Sequence, residues 1–349
     1  PKNLKFYTRK SIRRQTHKKM KKIIFLIFVL GIVFFGFNLK ATLARASVIE
    51  DIKDVPVKND FVLGPGKIEL WMNPGETATK ELMITNRIGK TMDFQINIED
   101  FGGSHDPKQT VVFFGDKESP KTSLKNYLKP ELTKFTLMHG QRMILPIEVS
   151  IPQDAEPGGR YGSILVTSSP YGEDAKIEKE KATGQISLNS RLGALFFIRV
   201  KGDVIEDGFL KEIKTTKMFY EKAPISFELL FENNGSIHLL PYGVVEIKNF
   251  FNKKIGEINL DPWYVMPDSL RLREVKWNSG WLFGKYTASV SINRGYKNII
   301  DQKSIDFWVI PWRIILIGLT ALFLIVWFFK WVIGHFEIKV KDKSVKDKN

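Results

Sequence analysis

The chain of 349 residues contains no cysteine. That excludes a disulfide framework, a thiolate metal site, a cysteine nucleophile and the lipidated cysteine of a lipoprotein. Histidine is almost as scarce, with five in the chain. His105, His139 and His238 lie between the two long apolar runs, and no two of them have i, i+4 or short-loop ligand spacing. A Walker loop, a G-x-S-x-G elbow, an H-E-x-x-H pair and an EF-hand pattern are all missing. Ser104-His105-Asp106 has the residue types of a triad, but three consecutive residues cannot converge on one another. The expectation is therefore no metal, no cofactor and no enzyme. Scattered carboxylates keep glycan cleavage open as a third reading.

The chain also lacks the charge distribution of a nucleic-acid binder, despite a net charge of +15. Residues 1–22 carry +10, Lys40 and Arg45 add +2, and Arg313 onward carries +4, which leaves 47–312 at −1. The basic excess flanks two apolar segments, as the positive-inside rule requires, and forms no phosphate-binding face. No nucleic-acid partner is expected.

The first apolar segment is Ile23 to Phe37, fifteen residues preceded by Lys18, Lys19, Lys21 and Lys22 and followed by Ala44-Arg45-Ala46. A basic region, a short apolar core and an A-x-A site make a secretory signal peptide cut after Ala46, against the alternative of an uncleaved anchor. Met20 reads as the true start, so 1–46 is a basic leader with its signal peptide. The second segment, 309–333, has a charge-free stretch from Ile314 to Phe329. Arg313 and Lys330 can snorkel at its ends, and Trp308, Trp312, Trp327 and Trp331 form aromatic belts. This is a single transmembrane helix in the plasma membrane, with 47–308 outside and the basic tail 334–349 in the cytoplasm. An outside domain without cysteine points to a bacterial surface.

Between the segments the sequence reads as all-β, with two tandem immunoglobulin-like β-sandwich domains over 60–201 and 203–308. Strands are expected at 67–72, 80–85, 93–98, 142–151, 161–167 and 185–200. Others follow at 225–232, 243–248, 255–260, 271–277 and 286–292. The turns include Asn73-Pro74-Gly75-Glu76, Asn233-Asn234-Gly235 and Asn278-Ser279-Gly280. An insertion, 101–134, enlarges the first domain and holds a strand at 110–114 and a helical turn at 123–128. Glu178-Lys179-Glu180-Lys181 reads as a solvated hairpin.

Two features are candidates for ligand contact. Pro157-Gly158-Gly159-Arg160-Tyr161-Gly162 is a turn, or else a loop presenting Arg160 and Tyr161. Trp263, Trp277, Trp281 and Phe283 crowd the second domain. One tryptophan belongs to its core, and Trp263 and Trp281 are candidates for a carbohydrate or protein contact. Asn234-Gly235-Ser236 matches a glycosylation sequon but reads first as a tight turn.

Asn73-Pro74-Gly75-Glu76, Phe135-Thr136-Leu137 and the run from Ile151 to Ile164 (IPQDAEPGGRYGSI) resemble the first domain of WxL-interacting proteins. Val265-Met266-Pro267-Asp268-Ser269 and Gly284-Lys285-Tyr286 are similar to that family's second domain, whereas Phe231 to Gly235 with Pro241-Tyr242-Gly243 looks like a more generic surface sandwich. The resemblance implies a bacterial cell-surface protein whose first domain binds peptidoglycan of the cell wall. Its second domain would bind another surface protein or serve as a spacer. The alternative is an assembly factor or chaperone that holds a client by β-strand addition at an open sheet edge.

Overall fold

The computed structural model describes residues 46–115, 120–172 and 190–335. The expected signal segment, most of the tail, Glu178–Lys181 and the start of the strand expected at 185 lie outside the described residues.

The described residues are mostly strand, with one long apolar helix at their carboxyl end. In the first half, one sheet runs in the order β1 (Val48–Asp51), β9 (Gln141–Ser150), β4 (Thr77–Asn86), β2 (Phe61–Gly64). β7 (Leu128–Pro130) adds to the same edge of β9 as β1, further along it. The facing sheet is β3 (Lys67–Met72), β11 (Arg191–Val200), β10 (Gly158–Pro170), β5 (Met92–Gly102), β6 (Val112–Phe113). β8 (Lys134–Leu137) pairs with the other end of β5. All these pairings are antiparallel except β3 with β11. Phe94, Phe196, Leu82, Leu145 and Ile147, drawn from both sheets, form the core between them.

Alternation explains most of these strands. In β3, Ile68 and Met72 are buried while Lys67, Glu69 and Trp71 face out. At Asn73–Glu76 the expected turn forms, with the Glu76 carboxylate accepting from the Asn73 N–H at 2.7 Å and its Nδ2 at 2.8 Å. The Asn73 backbone bond, foremost, holds the Glu76 carboxyl below its usual range.

Residues 121–128 of the insertion cover one face of β10. Asp100, at the end of β5, accepts from Ser123 Oγ and from the Leu124 and Lys125 N–H groups at 2.5, 2.8 and 2.7 Å. That pins a 3₁₀ turn, Lys125–Tyr127, within the expected helical stretch. Gly162 of β10 runs directly beneath it, and a side chain there would crowd Leu124 and Leu128.

The second half has a sheet β12 (Gly208–Thr215), β14 (Ile225–Asn233), β17 (Ser269–Trp277). It faces the sheet β13 (Phe219–Tyr220), β19 (Ile300–Val309), β18 (Gly284–Asn293), β15 (Tyr242–Asn249), β16 (Lys254–Leu260). Phe227, Phe231, Phe307, Val245 and Trp277 lie in the core they enclose. Tyr296 Oη bonds both the N–H and the carbonyl of Gly208 at 3.0 Å, and Asp301 accepts from the Leu210 N–H at 2.7 Å, so β12 is tied to the facing sheet. The Asp301 bond, foremost, raises the Arg294 guanidinium above its usual range.

β19 leads through Ile310 and Pro311 into α1 (Trp312–His335), 24 apolar-rich residues of which none is buried against the rest of the chain. Proline before the first turn starts a helix without cost, because its missing N–H would find no intrahelical partner there. A free-standing helix of this length and composition fits a single membrane span.

Candidate functional site

The described residues are most elaborate where the two sandwiches meet. Tyr161 of β10 is fully buried, in edge contact with Phe197 at 5.7 Å and tilted against Phe101 at 5.9 Å. Met266 of the second sandwich completes this small apolar cluster. The Tyr161 hydroxyl accepts from the His238 backbone N–H at 2.8 Å and lies 3.2 Å from His238 Nδ1. His238 Nε2 is 3.1 Å from Glu69 Oε1, and Tyr264 Oη donates to Glu69 Oε2 at 3.2 Å. Lys67 contacts both Glu69 and Tyr264, its ammonium 4.4 Å from the tyrosine ring centre.

These partners fix the imidazole. Nε2 carries the proton it gives Glu69, and Nδ1 accepts from the tyrosine. Burial lowers the His238 pKa, against the opposing pull of the Glu69 hydrogen bond, and raises the Tyr161 pKa well above the ordinary phenol range. Tyrosine, histidine and carboxylate stand in the order of a nucleophilic relay, but the Tyr161 oxygen is enclosed on every side. The arrangement is a polar clasp between the two pairs of sheets.

Backbone contacts reinforce it. Gly159 N–H donates to Ser236 O at 2.9 Å. The loop after β5 runs along the free edge of β17, where Leu270 N–H donates to Ser104 O at 3.1 Å and Leu272 N–H to Pro107 O at 2.8 Å. An added Cβ on Gly103 would overlap Ser269, so glycine is required for this approach. The segment with triad residue types is thus a docking loop.

Beside the clasp a cleft of about 280 Å³ opens, lined by Glu69, Trp71, Arg199 and Glu206 on one side and His238, Leu239, Leu240 and Gly295 on the other. The Arg199 guanidinium lies 4.6 Å from the Trp71 ring centre and pairs with Glu206 at 3.2 Å. Trp71 stays 61% exposed. Alternation along β3 turns Trp71 outward, which is the only signal in the sequence that could have singled it out.

The four expected contact residues do not come together. Arg160 donates to the carbonyls of Lys121 and, at 3.3 Å, Glu156, so it ties β10 to the insertion. Tyr161 is corrected from a presented side chain to a buried one, because Gly158–Gly162 is strand and not a turn. Trp263 is corrected likewise: it packs in the second core, edge-on to Phe231 at 6.2 Å, with the Arg273 guanidinium over its ring. Trp281 is 75% exposed, but it sits at the far end of the second sandwich, the length of β14 away, roughly 26 Å.

No protein-family model matches the chain, and no curated protein matches it. Solved structures do. The class 5 fimbriae chaperone CfaA is 9% identical, with a TM-score of 0.34 over 72% of this chain and 100% of its own. The E. coli chaperone DraB is 15% identical, with a TM-score of 0.32 over 72% of this chain and 97% of its own. A chain of the Salmonella enterica SafA pilin–SafB chaperone complex is 16% identical, with a TM-score of 0.32 over 70% of this chain and 96% of its own.

Proposed function

We propose that this chain is a membrane-anchored, non-catalytic binding protein of a bacterial surface, built from two immunoglobulin-like sandwiches of the WxL-interacting kind. Its ligand seat is the cleft beside the interdomain clasp. The observation that carries the reading is Trp71, exposed, with one face against Arg199, at the mouth of a cleft walled by both sandwiches. An aromatic face suits a sugar ring, and a guanidinium suits the carboxylates of a wall peptide. Both features occur together in peptidoglycan. The full chain in detergent is expected to sediment with purified sacculi. Trp71→Ala and Arg199→Ala should each weaken that binding about tenfold, the equivalent of about 1.4 kcal/mol. Sacculi that leave the protein in the supernatant would exclude this ligand.

A specific observation favours a second reading, strand addition. Leu195 N–H donates to Gly66 O at 2.9 Å where β3 begins to pair with β11. Two and four residues earlier, Gly193 and Arg191 turn their backbone groups to the same side, and no described strand pairs there. Phe113, Leu165, Leu192 and Leu195 line a groove next to that edge. Gly193→Pro removes an outward N–H and should abolish any complex with a secreted client while leaving sacculus binding unchanged. A complex that survives this substitution would refute strand addition at this edge.

A further inference from the structure

We infer that the end of the second sandwich nearest α1 is a lipid-contacting foot, seated in the headgroup layer of the membrane that α1 crosses. The inference rests on the reading of α1 as the membrane span.

Three separate loops bring exposed apolar side chains to this end. The β15–β16 hairpin tip carries Phe250 and Phe251, the latter 83% exposed. The β17–β18 loop carries Trp281, 75% exposed, and Phe283, with their rings stacked at 6.5 Å. Met218 and Phe219 stand exposed at β13. Register places them at one level. Asn249 is opposite Tyr286, which is opposite Phe307, so two residues further on Phe251 is level with Gly284 and Val309. Phe219 is opposite Trp308.

Distance to the membrane follows from the connection to α1. Only Ile310 and Pro311 separate β19 from the helix, three Cα steps of at most about 11 Å, and the Trp312 N–H bond to Ile310 O at 2.7 Å folds this link tighter still. There is no slack in it. Ile310 N–H donates to Tyr220 O at 2.7 Å, and Arg313 Nε on the helix is 3.3 Å from Glu221 Oε1. The helix, 24 residues long, spans about 36 Å against a hydrocarbon thickness of about 30 Å. About 3 Å therefore remains at each end, so Val309 lies in the headgroup layer. β18 and β15 are displaced sideways from β19 by only about 5 and 10 Å. The loops at their ends reach the same depth.

The chemistry matches that depth. Phenylalanine and tryptophan on a polar body favour the membrane–water interface. Lys222, Lys253 and Lys276 are exposed beside these loops, where they can meet anionic headgroups. Three carboxylates at this end are engaged, Glu221 with Arg313, Asp306 with Lys285 at 2.7 Å and Glu257 with Lys254, while Glu228 and Glu274 face each other across β14 and β17, three residues back from the strand ends.

The absence of cysteine makes the test direct. The single variants Phe251→Cys, Trp281→Cys, Leu322→Cys and Met138→Cys would be spin-labelled in the full chain. The protein would be reconstituted in nanodiscs of equal parts phosphatidylglycerol and phosphatidylcholine. The ratio of accessibility to dioxygen over a water-soluble nickel chelate is expected to be highest at 322, lowest at 138 on the first sandwich, and at 251 and 281 several-fold above 138. If 322 is lipid-facing while 251 and 281 match 138, the foot is refuted and the anchor stands. A water-exposed label at 322 refutes the anchor and the foot with it.

Discussion

Tyr161 makes two hydrogen bonds that a phenylalanine would lose while keeping the ring in place. One satisfies the His238 backbone N–H, the other His238 Nδ1. Leaving a buried donor unsatisfied costs about 1–3 kcal/mol, so Tyr161→Phe should lower stability by that amount, measured by denaturant unfolding. His238 adds a pH dependence whose sign is fixed by burial. Its folded pKa lies below the unfolded value of about 6.5. Above that value the imidazole is neutral in both states and the clasp is at full strength. As the pH falls below it, the unfolded chain takes up a proton that the folded chain refuses, and stability is lost until the folded pKa is reached. Thermal melts between about pH 8 and about pH 5 should show this decline, and His238→Asn should remove that component of it.

The elements that were legible in the sequence are those with a strict period of two. ISFELLFE at 225–232 buries every second residue, KIELWM at 67–72 turns Ile68, the half-buried Leu70 and Met72 inward, and both are strands. β2, β7 and β13, of two to four residues, are too short to leave a period. β12 and β19 carry lysine and acid on their outer faces, which weakens their strand signal. The Pro-Gly-Gly of the run at 157–162 signals a turn. In the structure glycine serves close approach: a side chain at Gly159 would overlap the Tyr161 hydroxyl. One device recurs at strand ends. Asn86 closes β4 and Asn233 closes β14, each donating to the carbonyl four residues on and to a distant one, and accepting from the N–H two residues on. The loop 103–107 acts at this scale too. Gly103→Val should displace it from β17 and expose the Leu270 and Leu272 N–H groups to exchange. Hydrogen exchange at those two amides checks it, and unchanged protection would show that the loop is not held by this close approach.

At the scale of the whole molecule, the candidate site was the least legible part. Glu69, Tyr161 and His238 are widely separated in sequence, and only the folded joint brings Glu69 and Tyr161 each within about 3.2 Å of the His238 ring. Trp71 gave a local sign, its place on an outward-facing position, but its partner Arg199 lies on a strand paired to β3 by a parallel crossover that no short-range pattern encodes. The same joint decides how the molecule unfolds. Separating the sandwiches would expose faces of Tyr161, Phe197 and Met266 and break the clasp and the docking loop together. A few hundred Å² of apolar surface at about 25 cal/mol per Å² amounts to several kcal/mol, comparable with the stability of a single domain. Neither sandwich should therefore melt ahead of the other. Calorimetry of the full chain in nanodiscs is expected to show one transition for both. Combining Tyr161→Phe with Gly103→Val removes the polar and the steric components of the joint at once, and should split that transition in two. A wild-type chain that already melts in two steps would mean that the joint couples the sandwiches by less than the stability of either. In that case the cleft beside it would be no preformed seat, and ordering it would cost part of whatever affinity Trp71 and Arg199 supply.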